Sequence, residues 1–156
     1  MAKSELDALD VDPPDRLRIQ LRAYLAVQQD QRRIGTPVER LIFLSSRTDG
    51  IQELDCPEVN FASGSRLHFK ISLEKHQTGW RLIQFLFHLR LPAERTVDMV
   101  RIHLNKQQAR EPLLVPRCHM HIGGGSRAHV PFPIMSPRLI LHLICDVIEP
   151  DVGTNS

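Results

Sequence analysis

The chain has 156 residues, 42% of them apolar and 24% charged, the proportions of one soluble domain large enough to bury a core without staples. Its net charge of +2 is too small for a dedicated nucleic-acid arm but is unevenly placed: residues 1–60 hold 8 Lys/Arg against 11 Asp/Glu, residues 61–156 hold 12 against 7, and all eight histidines lie in the second part. No run approaches the roughly 20 apolar residues of a membrane span, the acidic opening MAKSELDALDVDPPD is the opposite of a signal peptide, and three cysteines without CxxC spacing exclude a disulfide framework, so a cytoplasmic protein with no membrane association is expected.

Residues 1–12 read as a polar tail. Pro13-Pro14-Asp15 then opens a helix, proline being tolerated in the first turn. Leu17, Leu21, Tyr24 and Leu25 form its apolar stripe, and the polar run from Gln28 to Arg33, then Gly35, ends it. Leu41-Ile42-Phe43-Leu44 reads as a strand, followed by a turn at Thr48-Asp49-Gly50. Residues 51–64 lack periodicity, contain Pro57 and Gly64, and read as a loop.

From Arg66 to Glu74 the alternation is strict. Leu67, Phe69, Ile71 and Leu73 face one way and Arg66, His68, Lys70, Ser72 and Glu74 the other, as in a half-buried strand. After the turn His76-Gln77-Thr78-Gly79, a second run puts Ile83, Phe85, Phe87, Leu89 and Leu91 inward, with Gln84, His88 and Arg90 outward; Leu82 and Leu86 break the pattern. A third run sets Val100, Ile102 and Leu104 against Arg101, His103 and Asn105. A polar loop and Leu113-Leu114-Val115 follow, and a fourth run sets Cys118, Met120 and Ile122 against Arg117, His119 and His121.

Gly123-Gly124-Gly125-Ser126 turns into a short fifth strand, Arg127 to Phe132. If Ala128, Val130 and Phe132 share the core face with Cys118, Met120 and Ile122, the loop must have odd length. A three-residue glycine loop then sets His119 across from His129 and His121 across from Arg127. Ser136 as N-cap and Pro137 at the first helical position start a final helix with the stripe Leu139, Ile140, Leu143, Ile144 and Val147, ended by Pro150; residues 151–156 read as a tail. The expected fold is α+β: a single domain over residues 13–150, with an antiparallel sheet of about five strands and N- and C-terminal helices packed on one face.

The uncovered face then carries Arg66, His68 and Lys70, then His88 and Arg90, Arg101 and His103, and Arg117, His119 and His121 beside Arg127 and His129, with Glu74 its main acid. Cations opposite one another are destabilising without an anion, and phosphate suits the forked guanidinium. The face therefore points to RNA or a nucleotide as partner. His119, His121 and His129 are the candidate catalytic residues, two of them serving as base and acid in metal-free RNA cleavage. Arg117 and Arg127 would clamp the anion, and Arg101, His103, Arg90, His88, Arg66, His68 and Lys70 would bind the phosphate backbone.

This reading needs neither metal nor cofactor, and the cradles GxxxxGK[ST] and GxGxxG are absent. Three alternatives stay open: a merely solvated or covered face, a non-enzymatic subunit docking a protein partner through the sheet, and a zinc-dependent enzyme using His119-x-His121 with a third histidine, against which the flanking arginines would repel a cation. Cys118, Cys145 and the helical pair His142/Asp146 read as structural.

The order Arg117-Cys118-His119-Met120-His121-Ile122-Gly123, then Val130-Pro131-Phe132, then Ser136-Pro137 opening an apolar helix, resembles the small TumE-type toxins of prokaryotic toxin–antitoxin pairs. The resemblance covers the last third of the chain and reaches no chemical residue beyond His119 and His121, since glycines follow where further His or Asp would stand. It implies a ribonuclease-like toxin with a cognate antitoxin.

Overall fold

The computed structural model describes residues 10–47, 49–105, 117–125 and 128–151. Its elements are β1 (Asp10–Val11), α1 (Pro14–Asp30), a 3₁₀ turn (Val38–Arg40), β2 (Phe43–Ser46), β3 (Ile51–Asn60), β4 (Arg66–His76), β5 (Gly79–Arg90), β6 (Met99–Leu104), β7 (Cys118–Ile122), β8 (Val130–Pro131) and α2 (Pro137–Leu143). The strands form one antiparallel sheet in the order β2-β3-β4-β5-β6-β7-β8, with β1 on β5. The architecture is thus α+β, with eight strands among the described residues rather than about five. No helix among the described residues is long and apolar enough to cross a membrane.

The alternating residues behave as expected in the sheet's centre. Leu67, Phe69, Ile71 and Leu73 of β4, Phe85, Phe87 and Leu89 of β5 and Val100, Ile102 and Leu104 of β6 are buried in one cluster with Leu17, Leu21 and Leu25 of α1 and Ile140, Leu141, Ile144 and Cys145 of the C-terminal helical segment. Phe87 stacks on Phe69 at 5.1 Å and meets Phe85 edge-on at 5.6 Å.

Several expectations are corrected. Residues 51–64 are not a loop: most of them form β3, entered through a turn at Asp49 and Gly50, whose φ values of 69° and 73° are those of a tight hairpin. Its alternation, Leu54 and Cys56 inward, is broken by a bulge between Cys56 and Val59, where Pro57 has no N–H to give. A second bulge moves the register from Ser72↔Gln84 to Leu73↔Leu82, so Leu82 faces the core and Ile83 is the extra residue. The end of the expected N-terminal tail is a strand, because β6 pairs only with Phe85 to Arg90 and leaves the start of β5 for β1.

Ser136 caps α2 as expected, accepting from the Leu139 N–H at 3.3 Å. The helix does not stop at Pro150. It widens to a π-turn over Ile144–Ile148 and continues through Glu149–Asp151, the wider turn making room for a proline ring that would crowd the preceding carbonyls. The buried stripe is Ile140, Leu141, Ile144 and Cys145, and Leu139 and Val147 are exposed.

Candidate functional site

Parity puts the histidines of β4 to β7 on the face opposite the core, and the register aligns them. His68 lies across from His88, His88 from Arg101, Arg101 from His121 and His103 from His119. β8 pairs with β7 through His119↔Pro131 and Met120↔Val130, two residues from the expected register. The glycine turn is longer than three residues, so His119 is not across from His129. The face parity survives because the slip is even, and the His129 ring stands 4.7 Å from that of His119 and 4.6 Å from that of His121.

The result is a continuous row of imidazoles. Ring centroids are 6.1 Å apart for His68–His88, 4.9 Å for His88–His103, 5.4 Å for His103–His119, 5.5 Å for His103–His121 and 5.0 Å for His119–His121. His88 and His103 share a hydrogen bond of 2.7 Å between their Nε2 atoms, so one ring must donate and the other accept. At the centre of the row, ligand atoms of His103, His119 and His121 all lie within 4.8 Å of one another.

These are not surface groups. His119 is 2% exposed and His121 7%, although both were expected to be solvent-facing, while Ile122, expected inward, is 49% exposed. β7 sits one strand from the sheet's end, and its two histidine rings pack against each other and against those of His103 and His129. Burial pushes the pKa of His103 down to about 4, with His88, His119, His121 and Arg101 adding to the shift. His88 is lowered too, chiefly by burial, then by His68 and Arg101.

The cations expected to hold phosphate divide into two groups. β3 brings acids from the stretch expected to be a loop: Glu53 meets Lys70 at 3.3 Å, Asp55 meets His68 at 3.6 Å and Glu58 meets Arg66 at 3.7 Å. The β3–β4 side is therefore charge-balanced, and the excess of cationic and imidazole groups lies over β5, β6 and β7. The signal for these acids was present, since Glu53 and Asp55 alternate with Leu54 and Cys56. Arg117 donates from Nε to the Asn105 carbonyl at 3.2 Å, which ties the start of β7 to the end of β6. Arg127 lies outside the described residues.

The glycine turn is no phosphate cradle. The Gly124 N–H donates to Asp98 Oδ1 at 2.8 Å, and a Cβ there would stand 2.9 Å from Asp98 Oδ2. Cys56, Cys118 and Cys145 are buried and free, and burial pushes their thiols up to about 12, 11 and 12. His142 pairs with Asp146 at 3.3 Å within the C-terminal helix, as expected of a structural contact.

No family model, curated protein or solved structure matches this chain.

Proposed function

We propose that the protein is a metal-dependent enzyme of hydrolytic type, with His103, His119 and His121 holding one zinc-like divalent ion. The observation that carries this reading is the convergence of three imidazole ligand atoms, from two adjacent strands, within 4.8 Å. Tetrahedral zinc with bonds of about 2.0–2.1 Å to nitrogen needs them somewhat closer, a change within reach of side-chain rotation. Three neutral nitrogen ligands with an open position are a donor set of catalytic zinc, and such an ion supplies Lewis acidity and an activated water. With His103 ligating through Nδ1, its Nε2–H would donate to His88 Nε2, the outer support that orients a ligating imidazole.

Metal analysis of the purified protein, with zinc and cobalt(II) titrations, tests this. One equivalent should bind, with a tetrahedral cobalt spectrum, and His103→Ala, His119→Ala and His121→Ala should each abolish it. A folded protein that binds neither ion removes the reading.

A second reading is favoured by the exposure of His129, whose ring touches both buried histidines. Here two histidines act without metal as base and acid on RNA, and the resemblance to TumE-type toxins adds a cognate antitoxin as protein partner. It ranks second because residues as buried as His119 and His121 reach a ribose only if the surrounding rings move aside.

A further inference from the structure

Beyond the histidine cluster, we infer that the groove at one end of β4 and β5 binds the phosphate group of a small phosphorylated molecule. Arg66 and Arg90 are directly opposite in the antiparallel register, and the next rung on the same face is His68 opposite His88. Two like charges facing one another across a strand pair cost stability unless an anion bridges them. Among the described residues Arg66 has only the 3.7 Å contact with Glu58, between side chains that are 64% and 49% exposed. Arg90 is exposed and forms no ion pair among the described residues. The two guanidiniums and two imidazoles line a groove of about 200 Å³ together with Pro57, Leu67, Met99 and Glu58, the carboxylate that Arg66 meets and that a bound phosphate would displace from it.

Size and charge choose the ligand. The groove is smaller than the roughly 300–1,000 Å³ of sites for drug-sized molecules, and so suits a phosphate with a small substituent. The cationic strip is also short. Glu53, Asp55 and Glu58 flank it along β3 and would repel the successive phosphates of a nucleic-acid backbone running that way. Phosphate fits two forked guanidiniums through paired N–H···O bonds, with an imidazole N–H beside each. His88 belongs to this groove and also bonds His103, so a molecule anchored here would extend toward the histidine cluster.

The test uses the full chain with inorganic phosphate, a small phosphate monoester and a single-stranded RNA oligonucleotide, followed by calorimetry and thermal melting. The monoester should bind at least as tightly as phosphate. The double variant Arg66→Ala/Arg90→Ala should weaken both by at least about tenfold, as expected for loss of charge-assisted contacts. In phosphate-free buffer either single variant should melt no lower than the wild type, because each relieves an opposed pair of cations, yet phosphate should no longer raise its melting temperature. His119→Ala should keep phosphate binding, so failure of the metal reading and failure of this one are separable. The inference is overturned if phosphate and the monoester do not bind, or bind the double variant equally well. RNA binding far more tightly than the monoester, with a steep salt dependence, would also overturn it by making the ligand a backbone.

Discussion

At the scale of single residues, the clearest energetic statement concerns Phe87. It is fully buried, stacked on Phe69 and edge-on to Phe85, in the middle of the sheet's core face. Phe87→Ala removes that contact and leaves a void that close neighbours cannot fill, so denaturant unfolding should show a loss of about 3–5 kcal/mol. His103 allows a prediction of opposite character. In the folded chain its pKa is about 4 against 6.5 ordinarily, through burial and the facing His88 of β5, His119 and His121 of β7 and its neighbour Arg101. Above pH 6.5 folded and unfolded chains are both neutral at this site. Between about 6.5 and 4 only the unfolded chain takes the proton, so the EDTA-treated protein should lose stability as pH falls through that window. His103→Phe should flatten this part of a melting-temperature profile, and an unchanged slope would show that His103 is protonated when folded.

Among elements, the C-terminal helical segment is held by one buried carboxylate. Glu149, 5% exposed, faces Arg33 from the turn after α1 at 3.5 Å and Arg95 from the β5–β6 connection at 3.9 Å, and accepts from the Ser63 hydroxyl of the β3–β4 turn. Arg95 also donates to the Glu149 carbonyl at 3.1 Å, and Arg33 to that of Cys145. Removing the carboxylate leaves two guanidiniums facing each other without it, so Glu149→Ala should cost about 3 kcal/mol in chemical denaturation; Glu149→Gln should recover part by keeping the hydrogen bonds. The elements around this latch show what a sequence can and cannot reveal. β4 and β6 were legible because each alternates without interruption and has one apolar face. β3 and β5 each contain a bulge, and one inserted residue reverses every assignment beyond it. Face membership of His68, His88, His103, His119, His121 and His129 was legible for the same reason as β4. Their depth was not, because burial at β7 depends on how β8 folds back, and an even slip of register keeps parity while changing partners.

For the molecule as a whole, the proposed ion would join β6 to β7 and so couple site occupancy to the stability of the sheet. An ion that binds only the folded chain adds about 2.7 kcal/mol at a free concentration of 100 times Kd. Zinc should therefore raise the melting temperature of the wild type and of His129→Ala, whose histidine lies outside the ligand set, but not that of His119→Ala or His121→Ala. The same variants separate the two catalytic readings. A metal-dependent hydrolase should lose activity in EDTA and regain it with zinc, and His103→Ala should be as damaging as His119→Ala. Metal-free acid–base cleavage should survive EDTA and show a bell-shaped pH profile; it should also depend on His129, the exposed member, by roughly 10²-fold or more. The decisive residue is His103. It is a ligand in the first scheme, whereas in the second it contacts the phosphate backbone beside the histidines that act, so an EDTA-treated His103→Ala protein that keeps its turnover and only binds RNA more weakly would decide for the metal-free scheme.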